Sequence, residues 1–178
     1  EARHSKAIAG RAPPGVPSGV SGPLAARMAA RVAWANNELD SIAPAWDQQS
    51  APPQGPLDDL VLGEGRAAAG DPRALESAAA LQDLLPTEAA LIRARLAMAS
   101  GDNASAVGLL RQAFILAHAD PWVHPRALNR GLLLARQLAQ EGGPLAAAAL
   151  LEPLLTPFSV GNLDDNRRSV AIQLSSLA

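Results

Sequence analysis

Three stretches of this chain share one plan. They are LGEGRAAAGDPRALESAAALQDLLP (62–86), IRARLAMASGDNASAVGLLRQAFILAHADP (92–121) and LARQLAQEGGPLAAAALLEPLLTP (134–157). Each runs from a helix-patterned segment into a glycine break at Gly70, Gly101 or Gly142. An alanine-rich second segment follows and ends at Pro86, Pro121 or Pro157. A recurring plan of this kind is the first thing to settle in a sequence, because it decides whether the fold is built from stacked units. The apolar spacing inside the units is helical, strand formers are scarce, and alternating apolar runs are hard to find. An all-α protein follows. Of the 178 residues 48% are hydrophobic, but only 3% are aromatic and none is tyrosine. Alanine supplies much of the apolar share and buries little area per residue, so the helices must approach closely to form a core.

The remainder of the chain falls around these units. Residues 1–23 carry Pro13, Pro14, Pro17 and Pro23 among glycines. Proline removes helix donors and glycine raises the cost of ordering, so an extended or disordered arm is expected. LAARMAARVAWANNELDSIA (24–43) reads as an amphipathic helix with Ser21 as its cap and Pro23 in its first turn. PAWDQQSAPPQGP (44–56) reads as a Pro/Gln-rich linker, with Trp46 expected to fold back onto a neighbouring helix. A helical-repeat domain is expected over 57–178. Its helices are placed at 57–69, 72–85, 87–99, 103–118, 125–141, 144–155 and 163–176. Asp102 or Asn103, Thr87, and Asn162 or Asp164 are the expected caps.

The spacing around the glycines resembles the tetratricopeptide repeat, in which two antiparallel helices make one unit. Small residues, Gly63, Ala94 and Ala135, stand seven before the breaks. Ala106 and Ala147 stand five after, and Leu110 and Leu151 four further on; Leu75 and Ala79 depart from the pattern in the first unit. Ala113 supplies the further small residue three beyond Leu110. Small side chains let two helices approach to about 8 Å, and the glycines permit a left-handed turn between them. The glycines lie 31 and then 41 residues apart (70 to 101, 101 to 142), and the extra length falls in HADPWVHP (118–125). The resemblance implies a short solenoid of stacked antiparallel hairpins behind an extended N-terminal arm, and a role in holding other proteins.

Chemistry-bearing clusters are sparse. His118, Asp120 and His124 lack the convergent spacing a metal needs, and no metal or cofactor is expected. His118 is expected to end a helix, and Trp122 to plug the gap between adjacent hairpins. GEGRAAAG (63–70) lacks the strand, lysine and hydroxyl of a phosphate loop, and no nucleophile elbow occurs. The net charge of −2 gives no reason to bind nucleic acid, and no apolar run is long enough to span a membrane. There is no cysteine.

The function expected from these observations is a non-catalytic protein–protein interaction or scaffold module within a larger bacterial assembly. Six residues are candidate partner contacts: Arg27 and Arg31, a basic pair at i, i+4; Trp46; Trp122; and Arg126 with Arg130, a second i, i+4 pair suited to gripping a carboxylate. Against the partner reading stands the ordinary one, a solvated basic face. The alternative is a helical tail of a larger enzyme or membrane protein, since DPW and TPF after helices look similar to tails of polyamine-synthase-like proteins. The start at Glu1 fits a processed product or part of a longer polypeptide, and a place in a bacterial periplasm or associated with a membrane is marginally preferred to a cytoplasmic one.

Overall fold

The computed structural model describes residues 20–178, and residues 1–19 of the expected arm lie outside them. Among the described residues all regular structure is helical. The elements are α1 (Gly22–Ala35), α2 (Ile42–Trp46), α3 (Pro56–Ala68), α4 (Ala74–Leu81), α5 (Pro86–Ala99), α6 (Asn103–Ala117), α7 (Pro125–Leu154) and α8 (Asp164–Ser175). Single 3₁₀ turns precede α2 and α8, at Leu39–Ser41 and Gly161–Leu163.

The helix expected over 24–43 is broken. Asn37 adopts φ 64° and reverses the chain after α1. Asparagine is one of the few residues that enters the left-handed region at modest cost. The chain then closes into α2, which takes Trp46 out of the expected linker and buries it to 3% exposure. Gly70 and Gly101 make the corresponding left-handed turns after α3 and α5, at φ 69° and 80°. The third break falls one residue later than expected. Gly142 stays helical, and Gly143 (φ 69°, ψ −159°) kinks α7 in two. Pro144 explains the shift, because proline disfavours the helical conformation in the residue directly before it.

The caps also differ from expectation. Asp102 does accept the Ser105 N–H, at 3.1 Å. Ser21 stands at the cap position of α1 without a capping bond. Thr87 lies inside α5, fully buried, and donates its hydroxyl to Asp120 Oδ2 at 3.2 Å. Leu163 precedes α8, and Asp164 is occupied in holding Arg167, at 2.9 Å from its Nε. Trp122 does not plug a gap: its N–H bonds Asp120 Oδ1 in a tight turn that leaves the indole 84% exposed, and Val123 takes the buried place at 2%.

Each helix packs its backbone against neighbours one or two places along the chain and none further. α1 meets α2 and α3, α3 meets α4 and α5, and α5 meets α6 and α7, while α8 packs on α7. The core runs through these contacts as one cluster. Phe114, Ile92, Leu110, Leu128 and Leu132 fill it, with Ala67, Ala78, Ala94, Ala106, Ala135 and Ala147 buried completely between them. Alanine adds little transfer energy, so it serves here mainly to let the larger side chains of adjoining helices interlock. Two close approaches fall on α3. A methyl group added at Gly63 would lie 2.7 Å from Ile92 Cδ1, and one at Gly65 would lie 2.5 Å from Ile42 Cβ.

Candidate functional site, a groove over a buried charge network

α3, α5 and α7, with the turn that follows α1, line one open groove of about 650 Å³. Arg95 and Met98, three apart on α5, share a face, as do Leu134, Gln137 and Glu141 on α7. Ala68 at the end of α3 and the turn carrying Asn37 and Asp40 complete its walls. The left-handed turn at Asn37 is therefore what brings the first helix pair to this site.

Several charged residues sit in the interior close to the groove. Glu64 of α3 is 2% exposed and Arg130 of α7 is 5% exposed. Arg130 Nε donates to Glu64 Oε1 at 3.2 Å, its Nη2 donates to Oε2, and the Trp34 indole N–H donates to the same Oε2. The Arg130 guanidinium also lies over the Trp34 ring, 4.6 Å from the centroid, with Nη1 3.5 Å from the Trp34 carbonyl. Arg126 donates to the Ala35 carbonyl. Both arginines thus reach the C-terminal end of α1, where the helix dipole favours positive charge. Trp34 further meets His124 edge-on, with centroids 4.8 Å apart.

Burial sets the protonation of this region. It holds His124 below the ordinary imidazole range, with Arg130 and Arg126 pushing the same way and Glu64 opposing. In its neutral form His124 Nδ1 accepts the Arg126 N–H at 3.2 Å and caps α7. Glu88 is fully buried and accepts the His124 backbone N–H at 2.6 Å, while its Oε2 has no partner. Burial raises the Glu88 carboxyl above the usual range, and that hydrogen bond only partly offsets it. Arg95 is lowered from the ordinary guanidinium value by burial, with Glu64 acting against the shift. Its guanidinium makes no hydrogen bond or ion pair to a described residue.

A second buried carboxylate, Asp58, organises the other basic pair. Arg31 donates to its Oδ1 through Nε at 3.1 Å and Nη2 at 2.6 Å, and Gln54 N–H bonds Oδ2 at 3.1 Å. Arg27 is buried, donates to the Pro52 carbonyl at 2.9 Å and lies 5.8 Å from the Trp46 ring centroid.

Of the six candidate contacts, Arg27 and Arg31 therefore gather at Asp58 with Trp46 beside Arg27, and Arg126 and Arg130 gather at the end of α1. Trp122 stands on an exposed turn. Arg27, Trp46 and Arg130 are buried within the chain's own packing, whereas Arg31, Arg126 and Trp122 reach solvent. Glu64, Glu88, Asp58 and Arg95 are not among the candidates read from the sequence. The position of Glu64 between Gly63 and Gly65 was the available signal. A charged residue flanked by two side-chain-free positions on an apolar helix lies where other helices come close.

The His118, Asp120 and His124 trio does not converge. His118 ends α6 with Nδ1 3.0 Å from the Pro157 carbonyl, Asp120 holds Thr87 and the Trp122 N–H, and His124 caps α7. Among the described residues no group of three or more His, Cys, Asp or Glu is placed to hold a metal ion, and no helix is long and apolar enough to cross a membrane. No known protein family, curated protein or solved structure matches the chain.

Proposed function

We propose that the chain is a non-catalytic interaction module, a short TPR-like array of helical hairpins that docks a segment of a protein partner within a larger assembly. The observation that carries this reading is the order of contacts. α1 with α2, α3 with α4, and α5 with α6 form three successive pairs, and α7 is kinked into two arms in the place of a fourth. Asn37, Gly70, Gly101 and Gly143 stand between their members, all at positive φ. The first helices of the pairs also touch in succession, α1 on α3, α3 on α5 and α5 on α7. Neighbour-only packing of this type produces a solenoid with one extended face built from equivalent helices, a surface suited to an extended peptide or a helix. The groove lies on the side where those first helices meet. The buried charges Glu64 and Arg130 are engaged with each other and with Trp34 in holding helices together, which supports a binding role over a catalytic one.

The test is selection of random dodecapeptides displayed against the full 178-residue chain, with counter-selection on the variant Gln137→Trp, which fills the groove from an exposed position. Peptides that bind the chain and lose binding on Gln137→Trp are expected. Failure to enrich any peptide, or enrichment of peptides indifferent to that substitution, would overturn the docking reading.

A further inference from the structure

We propose that Arg95 is the anchor of the groove and takes a carboxylate carried by an extended peptide. This rests on the docking reading above and assigns the chemistry of its occupant. An arginine side chain offers five donors in a fixed planar fork. Arg95 is partly buried in the wall of the groove, yet none of those donors is taken by a described residue. The nearest internal acid cannot serve it: Glu64 receives two guanidinium bonds from Arg130 and the indole N–H of Trp34. Arg130 holds the Glu64 carboxylate, and Arg95 is left lining the groove.

The surroundings narrow the ligand. Asp40 and Glu141 stand at the rim. Glu141 is itself bonded by Gln137, at 3.0 Å, and by Asn103, at 3.3 Å. Their negative charge opposes a dianion such as phosphate more than a singly charged group. A carboxylate matches the guanidinium fork in charge and plane and accepts two parallel bonds from it. The remaining lining suits the chain that would carry the group: Met98 and Leu134 offer apolar contact beside the charge, and the amides of Asn37 and Gln137 offer partners for a peptide backbone. A small ion would use only the arginine, whereas an extended segment uses the whole length.

The experiment takes groove-dependent peptides selected as above and replaces each acidic residue by its amide, Glu by Gln or Asp by Asn, with the C-terminus amidated as a further variant. Affinities for the full chain, Arg95→Gln and Arg95→Lys are read by fluorescence polarisation, and far-UV circular dichroism verifies that the variants are folded. One acid-to-amide change is expected to weaken binding to the native chain by roughly tenfold or more, and to have no effect on Arg95→Gln. Arg95→Lys is expected to recover only part of the preference, because an ammonium lacks the planar fork. Groove-dependent peptides with no such acid, or an acid-to-amide loss equal in native and Arg95→Gln chains, would overturn the assignment and leave the docking reading intact. Absence of any groove-dependent peptide would remove the docking reading first.

Discussion

Neutralising Glu64 is the sharpest perturbation this structure offers. Glu64→Gln keeps the shape of the side chain and an oxygen for the Trp34 indole, but removes the charge from a position 2% exposed. Arg130, itself 5% exposed, is left without its counter-ion, and Arg95 contributes a second cation nearby. Removing one partner of a buried ion pair costs about 3–5 kcal/mol. For a described region of this length that is a fall in melting temperature of about 6–20 °C. The opposite single change, Arg130→Met, is expected to cost less, because Arg95 remains to neutralise Glu64. The double variant Glu64→Gln/Arg130→Met should be the mildest of the three, since no charge is then buried without a partner. The assay is urea unfolding followed by far-UV circular dichroism at neutral pH, and the double-mutant cycle gives the coupling directly. Single losses below about 1 kcal/mol, or effects that add to within about 0.5 kcal/mol, would refute the claim that these groups form one interdependent network.

Other expectations follow from single contacts. His124 is held neutral below its ordinary value of 6.5, so the unfolded chain protonates first and stability falls as pH drops below that point. His124→Asn keeps an acceptor for the Arg126 N–H and should flatten the slope of unfolding free energy against pH in that window. The raised Glu88 carboxyl acts in the other sense: its contribution is complete below the ordinary value of 4.5 and is lost as pH rises through the higher folded value, so Glu88→Gln should gain stability relative to the native chain as pH climbs. Gly65→Ala should destabilise despite a helix-propensity gain of about 1 kcal/mol, since the new methyl meets Ile42 Cβ at 2.5 Å. Gly108→Ala, with nothing within 4 Å, should stabilise, and thermal melts compare the two. Trp122→Ala should change stability by less than about 0.5 kcal/mol, whereas Val123→Ala should cost about 1 kcal/mol or more by the same melts.

Most helix positions were legible because their signals are local. Pro56, Pro86 and Pro125 fix first turns, and Gly70 and Gly101 end helices by adopting φ values that other residues avoid. The break at Asn37 was not read, because asparagine usually sits in ordinary helical or cap positions and only its neighbours' packing selects the left-handed state. The site was less legible still. Arg27 with Arg31 and Arg126 with Arg130 have the i, i+4 spacing of a solvated stripe, and spacing alone does not say which face a helix buries. That choice is made by acids far away in sequence: Asp58 draws in Arg31 across 27 residues, and Glu64 draws in Arg130 across 66.

These long-range pairs also decide how the groove is held. In an array whose helices pack only on near neighbours, the ends are free to twist relative to each other, since each interface transmits only part of its neighbour's orientation. Here side chains of α7 reach over to α1 and α3, through Arg126 on the Ala35 carbonyl and Arg130 on Glu64 and Trp34. The tie joins α7 to α3, which both wall the groove, and to the end of α1 beside it; its Arg130–Glu64 part is buried, so solvent screening weakens that part little. A surface fixed in this way before a ligand arrives loses less conformational entropy on binding than a hinge-like one. The same substitution that exposes the energetics of the network, Glu64→Gln, should therefore also loosen the groove: groove-dependent peptides should bind it more weakly even at temperatures where it remains folded. Unchanged affinity under those conditions would show that the network maintains the fold without shaping the surface.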